Sequence, residues 1–170
     1  MSLAATLASG RMDWNTPPEV LKLLHAGWPD GVDLDPCHNP DSIVDARFTY
    51  TKEQDGLALP WDIPRPGGLV YVNPPYGSAL PAWAEKVQDE RNESRNIVVL
   101  VPARTDTRWW RTMTKGARYV AFLGGRLRFL GAPAAAPFPS ALIIHGGLSR
   151  RGADNLVQAA AARGAWVVRP

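Results

Sequence analysis

The tetrapeptide Asn73-Pro74-Pro75-Tyr76 is the stretch of this chain best equipped for chemistry. An exocyclic amino group on a nucleobase is a poor nucleophile, because its lone pair is delocalised into the ring. Two oxygen acceptors aimed at its hydrogens draw the nitrogen toward tetrahedral geometry and free that lone pair. The side-chain oxygen of Asn73 and the backbone oxygen of Pro74 are of the right type, and Tyr76 supplies an aromatic face for a flat base. The same residue types also make plain turns. Chemistry is favoured by what precedes them. Leu69-Val70-Tyr71-Val72, flanked by glycines, reads as a short buried strand. Pro74 and Pro75 cannot continue its ladder. They form a rigid platform at the carboxyl end of a strand, where open α/β sheets put their ligand sites.

Other elements end near candidate residues. Asn96 to Pro102 is the clearest buried strand. It exits into Arg104, Thr105, Thr107, Arg108, Trp109, Trp110 and Arg111. Arginine for phosphate and aromatics for bases suit a nucleic acid. For the two tryptophans, packing under a helix is the favoured reading. A strand over Arg118–Leu123 leads to Arg126-Leu127-Arg128-Phe129, whose alternation puts Arg126 and Arg128 on one face. Near the start, Thr16 is the expected N-cap of a helix, with Pro17 at its first position and Glu19 completing a capping box. Val32 to Cys37 reads as a strand and its exit, carrying Asp35-Pro36. Ala46 to Tyr50 is a short strand, and Gln54 to Leu57 a turn containing Asp55. A helix is expected over Ala79–Arg91, a loop over Gly131–Pro139 and a strand over Ala141–His145. A helix over Gly152–Arg163 and a last strand over Ala165–Val168 complete the chain, with no chemistry apparent in them.

The motifs Asp13 to Glu19, Asp33 to Cys37, Gln54 to Leu57, Asn73 to Tyr76, Val101 to Thr107 and Gly125 to Phe129, in that order, resemble the phage-type DNA N6-adenine methyltransferases. The likeness spans roughly Trp14 to His145. It implies a compact Rossmann-like class I fold, α/β, with a mostly parallel sheet and an antiparallel last strand. It also implies S-adenosylmethionine as methyl donor and DNA adenine N6 as acceptor. Thr16 and Pro17 then lie at the methionine end of the cofactor, where a helix N-terminus can hold a carboxylate. Asp35 and Pro36 lie by its ammonium and ribose. Asp55 lies near its adenine, although Asp-Gly is equally a turn. Phe138 faces the flipped base opposite Tyr76, or else anchors a loop in the core. No Gly-rich loop follows Asp35-Pro36; Cys37-His38-Asn39-Pro40 stands there, with His38 read as a polar loop residue. The interval from Asp35 to Asn73 is also too short for the usual two strands and two helices, so something is shortened. Asn73, Pro74, Pro75 and Tyr76 are the expected catalytic residues. Arg104, Arg108, Arg126, Arg128 and Phe138 are the expected substrate contacts.

Composition sets the frame. With 170 residues, one domain is expected: a short arm over 1–12 and a catalytic domain over 13–170, without a separate target-recognition domain. A net charge of +3, from 19 basic and 16 acidic residues, permits nucleic-acid binding without proving it. The lone Cys37 excludes an internal disulfide framework and a cysteine-rich zinc site, and suits a reducing cytoplasm. No apolar run reaches membrane length. A sulfonium donor is already activated, so no metal is expected. Two rivals remain: a similar enzyme acting on RNA adenine or protein glutamine, and a non-catalytic DNA-binding module, which the shortened interval keeps open.

Overall fold

A computed structural model describes residues 14–147 and 150–170. The expected arm over 1–12 lies outside the described residues. Among the described residues seven strands form one sheet: β1 (Val32–Asp35), β2 (Ala46–Thr49), β3 (Leu69–Val72), β4 (Asn96–Pro102), β5 (Tyr119–Phe122), β6 (Ser140–His145) and β7 (Trp166–Val168). Their order across the sheet is β2-β1-β3-β4-β6-β5-β7. The pairs β1–β2, β1–β3 and β3–β4 are parallel, whereas β6 is antiparallel to both β4 and β5, and β7 is antiparallel to β5. The fold is therefore the expected Rossmann-like α/β one. The reversal is wider than one terminal strand, because β6 is itself inserted antiparallel between β4 and β5.

The strand sequences explain the layering. β1, β3, β4 and β6 are buried at every residue, so both faces of the sheet are covered. The covers are two helix pairs: α1 (Pro18–Gly27) with α4 (Arg150–Ala161), and α2 (Leu80–Glu90) with α3 (Arg108–Thr114). The first pair meets through glycines. A Cβ on Gly27 would lie 2.7 Å from the Gly152 carbonyl oxygen, and one on Gly152 would lie 2.7 Å from the Trp28 ring. Only backbone without side chains permits that approach.

The interval between β1 and β3 is shortened as expected. It holds the single strand β2, then turns and irregular chain from Tyr50 to Gly68, with no helix. Buried Asp33 ties its end back to the sheet. Its Oδ2 accepts the Leu69 N–H at 2.8 Å and pairs with Arg65 at 2.9 Å.

Candidate active site

Parallel pairing of β1 with β3, through Leu34 opposite Val70, carries Asp35 and Asn73 out of the sheet side by side. Between and around them opens a cleft of about 650 Å³, within the usual size of small-molecule sites. Thr16, Asp35, Pro36, Asp55, Asn73 and Pro74 all line it. Pro17, Tyr76 and Phe138 do not; each is buried behind the wall.

Asn73 is pinned. Its Nδ2 donates to the Trp14 carbonyl at 2.6 Å and to Thr16 Oγ1 at 3.1 Å. A carbonyl can only accept, so Trp14 fixes which end of the carboxamide is nitrogen. Oδ1 then points the other way and accepts the Tyr76 hydroxyl at 3.1 Å. A carbonyl oxygen has two lone pairs, so one remains for a further donor. Thr16 Oγ1 is held in turn by the buried Tyr71 hydroxyl at 2.9 Å.

The expected capping role of Thr16 is corrected by this geometry. The helix starts at Pro18, its cap position is Pro17, and no side chain caps it. The Thr16 hydroxyl is instead spent on Tyr71 and Asn73. The anion-holding start is weaker than expected for a related reason. Pro17 and Pro18 have no N–H, and the Val20 N–H bonds the Pro17 carbonyl, leaving Glu19 as the free donor of the first turn.

Asp35 is 4% exposed, and Oδ1 accepts the Cys37 N–H at 2.9 Å. Burial pushes its carboxyl up to about 6, against the opposing pull of the Cys37 N–H and of His38. His38 Nδ1 stands 3.6 Å from Asp35 Oδ2, too far for a hydrogen bond, and among the described residues that buried nitrogen has no other partner. The segment standing in for a Gly-rich loop is thus part of the cleft wall, since Cys37, His38 and Asn39 all line it. Asn39 Nδ2 ties it to Asn15 Oδ1 at 2.8 Å.

Asp55 takes the turn that Asp-Gly allows, and it also lines the cleft. It is an exposed turn residue in the left-handed region, φ 57°, with Oδ1 accepting the Leu57 N–H. It also faces the cleft, because the turn is pressed onto β1's exit. A Cβ on Gly56 would lie 2.0 Å from the Pro36 carbonyl oxygen.

The aromatic residues are arranged otherwise than a base platform requires. Tyr76 and Phe138 are 5% and 8% exposed, and their rings meet edge to face at 5.7 Å and 74°. Phe129 touches both, and Trp14 packs on Phe129 at 5.2 Å and Phe138 at 5.3 Å. Four rings from distant parts of the chain bury one another, the favoured arrangement for apolar faces that have no other cover. Their faces are not parallel, and no slot for a base stands between Tyr76 and Phe138.

Arg104, Arg108, Arg126 and Arg128 are exposed at the same end of the sheet. None is in an ion pair with a described carboxylate; Arg128 donates to the Pro133 carbonyl at 3.1 Å. Leu127 and Phe129 are buried between the last two, so the alternation holds although the segment is not a strand. Trp110 is buried and stacks on Phe122, which supports packing for that tryptophan.

Sequence reasoning missed two supports of Asn73, the Trp14 carbonyl and the Tyr71 hydroxyl. The carbonyl gave no signal. Tyr71 did, being the one polar-tipped side chain in an otherwise aliphatic buried strand.

A doubly covered α/β sheet with an Asn-Pro-Pro-Tyr exit beside a buried acidic exit has the architecture of a Rossmann-like methyltransferase. The family model described as DNA N-6-adenine-methyltransferase (Dam) matches residues 4–141, and the chain belongs to that family. It is an enzyme that methylates adenine N6 in DNA, and it requires a methyl donor. No curated protein matches the chain. Among the described residues no helix is long and apolar enough to cross a membrane.

Proposed function

We propose that the methyl donor is S-adenosylmethionine, held in the cleft between Asp35 and Asn73, and that Asn73 and Pro74 activate the adenine amine. The observation that carries this reading is the fixed carboxamide. With Nδ2 committed to Trp14, the free lone pair of Asn73 Oδ1 is preorganised as an acceptor.

The cleft fits such a cofactor by size and by donor set. Asp35 offers a buried carboxylate to an ammonium or a ribose, and the unpartnered His38 Nδ1 offers a second polar contact. Asp55 stands by the adenine end, and Thr16 by the methionine end. Pro17 and Pro36 act as backbone around those contacts. When bound, S-adenosylmethionine supplies a methyl group on a sulfonium, so the reaction needs neither a metal nor a nucleophilic side chain. The chain's own work is positioning. Asn73 Oδ1 and the Pro74 carbonyl would accept the two amine hydrogens and stabilise the positive charge that grows on N6 as the N–C bond forms and the methyl group's bond to sulfur breaks, its electron pair staying on sulfur. One of those hydrogens then leaves as a proton.

The target base must leave the duplex stack to reach these atoms. In this reading it enters between Tyr76 and Phe138, whose rings part to admit it. Arg104, Arg108, Arg126 and Arg128 hold the flanking phosphates. These DNA contacts lie in the catalytic domain itself, and a cytoplasmic location fits a DNA substrate. Incubation with labelled S-adenosylmethionine and DNA, RNA or protein in parallel tests the reading. Label on DNA N6 is expected; label on RNA or protein alone overturns it.

A further inference from the structure

We propose that Trp166 is a DNA-contacting residue, whose solvent-facing indole stacks on a nucleotide flanking the target adenine. The inference rests on the DNA substrate of the family and adds a contact from a part of the chain beyond the matched residues 4–141.

Trp166 is 70% exposed, well above the other exposed large apolar side chains, Phe48 at 48% and Ile43 at 41%. It is nevertheless held in place. Trp166 stands opposite Phe122 in the β5–β7 register, so the two rings share a face of the sheet. They stack at 5.6 Å and 27°, and Phe122 stacks on Trp110 at 5.9 Å and 28°. The inner member, Trp110, is 7% exposed and anchors the stack in the core. The outer indole therefore has one face on Phe122 and the other toward solvent. A flat, preoriented aromatic face takes any base, because every base has a π-face, and holding it ready reduces the ordering cost of binding.

Its position supports DNA as the occupant. Phe122 ends β5 and Trp166 begins the antiparallel β7, so the stack lies at the carboxyl rim, the end at which β3 exits into Asn73. A Cβ on Gly124 would lie 3.0 Å from the Gly164 carbonyl oxygen, so the turn leading to Arg126 abuts the turn leading to Trp166. Arg104, Arg108, Arg111, Arg126 and Arg128 are exposed along this rim, and Asp106 is the one acidic residue in the same two segments. A second copy of the chain would bring like charges together at this edge, whereas a phosphate backbone neutralises them. β7 is four strand positions from β3. At about 4.8 Å per strand this is roughly 19 Å, or about five to six nucleotide steps of 3.4 Å from the target base. The contact thus falls outside the reach of the catalytic motif yet within a short DNA footprint.

Fluorescence anisotropy with a labelled oligonucleotide whose segment flanking the target is single-stranded, so that its bases are free to stack, tests this on the full chain. Trp166→Ala should weaken DNA binding by about fivefold or more. It should leave the log–log salt slope unchanged, since no phosphate contact is lost. Trp166→Phe should restore most of the affinity. Arg104→Ala, measured beside it, should reduce the magnitude of the slope by about one. If Arg104→Ala weakens binding and Trp166→Ala does not, this inference fails and the DNA reading stands. If wild-type protein binds no DNA, the DNA reading itself fails. A lower sedimentation mass for Trp166→Ala would assign the indole to contact between copies and overturn the proposal. As a check independent of folding, photocrosslinking of wild type to DNA bearing 5-iododeoxyuridine should give an adduct at Trp166. No adduct there, with adducts elsewhere on the rim, overturns it.

Discussion

The two sides of Asn73 differ sharply. On the side of β1 the chain leaves a cleft of about 650 Å³ lined by polar residues, among them the buried Asp35 and also His38, whose Nδ1 has no hydrogen-bond partner among the described residues. On the side of Tyr76, four aromatic rings close on one another and leave no gap. Buried polar groups cannot satisfy each other across an open cleft, so that space stays shaped for a polar ligand. Apolar rings can cover each other, and do so when no base is present. On the proposed reading, the cofactor side is ready in the free protein, whereas the base side has to be opened. Asn73 belongs to both, tied by Nδ2 to Trp14 and Thr16 and by Oδ1 to Tyr76.

The largest effect that would sharpen this contrast comes from Asn73 itself. Asn73→Ala should slow methyl transfer in single turnover by at least about a hundredfold. Cofactor affinity by calorimetry should stay near wild type, because the loss falls mainly on the transition state. Transfer at the wild-type rate would reduce the tetrapeptide to a turn.

Next is Asp35, which tests whether the cleft is kept for a ligand at a cost to the fold. Its carboxyl lies at about 6 in the folded chain against an ordinary 3.8. The folded state therefore favours the protonated form. Asp35 supports folding below its ordinary value, and that support is lost as pH rises through about 6. Ionised, it costs roughly 3 kcal/mol. Asp35→Asn keeps an acceptor for the Cys37 N–H and removes the charge. It should raise the thermal midpoint by several degrees at about pH 8 and leave it unchanged at about pH 4, while weakening S-adenosylmethionine binding. A midpoint that falls at both values would mean that the carboxylate stabilises the fold.

Tyr76→Ala probes the closed side. Stacking on a base is worth about 1–3 kcal/mol, so DNA affinity and turnover should both drop by about tenfold, with cofactor binding spared. Loss of cofactor binding would merge the two regions into one. The smallest effect is expected at Thr16. Thr16→Val removes one hydrogen bond to Asn73, worth about 1 kcal/mol, or roughly fivefold in turnover. Thr16→Ser should restore it. If Thr16→Val alters cofactor affinity alone, the hydroxyl serves the cofactor and does not position Asn73.

The sequence made the strands and their exits legible because those signals are local. Ile97 to Val101 is an unbroken apolar run, and Pro74-Pro75 ends β3 wherever the rest of the chain goes. Thr16 was misread although its signature is real. Thr16 and Glu19 have the spacing of a capping box, but two prolines move the helix start, and a tertiary partner, Tyr71, claims the hydroxyl. The insertion of β6 between β4 and β5 is a non-local pairing that no window of sequence carries. The closure of Tyr76 depends on rings at positions 14, 129 and 138, whose convergence only the folded chain reveals.

The central claim, a ready cofactor cleft beside a shut seat for the base, is tested most directly by stopped-flow fluorescence. The probe is DNA carrying 2-aminopurine at the target position, mixed with protein saturated in S-adenosylmethionine. Two phases are expected: a binding phase that speeds up with DNA concentration, then base entry at a rate that levels off, because Tyr76 and Phe138 must part first. Phe138→Ala should accelerate the second phase. A single phase whose rate keeps rising with DNA concentration, in wild type and Phe138→Ala alike, would contradict the account.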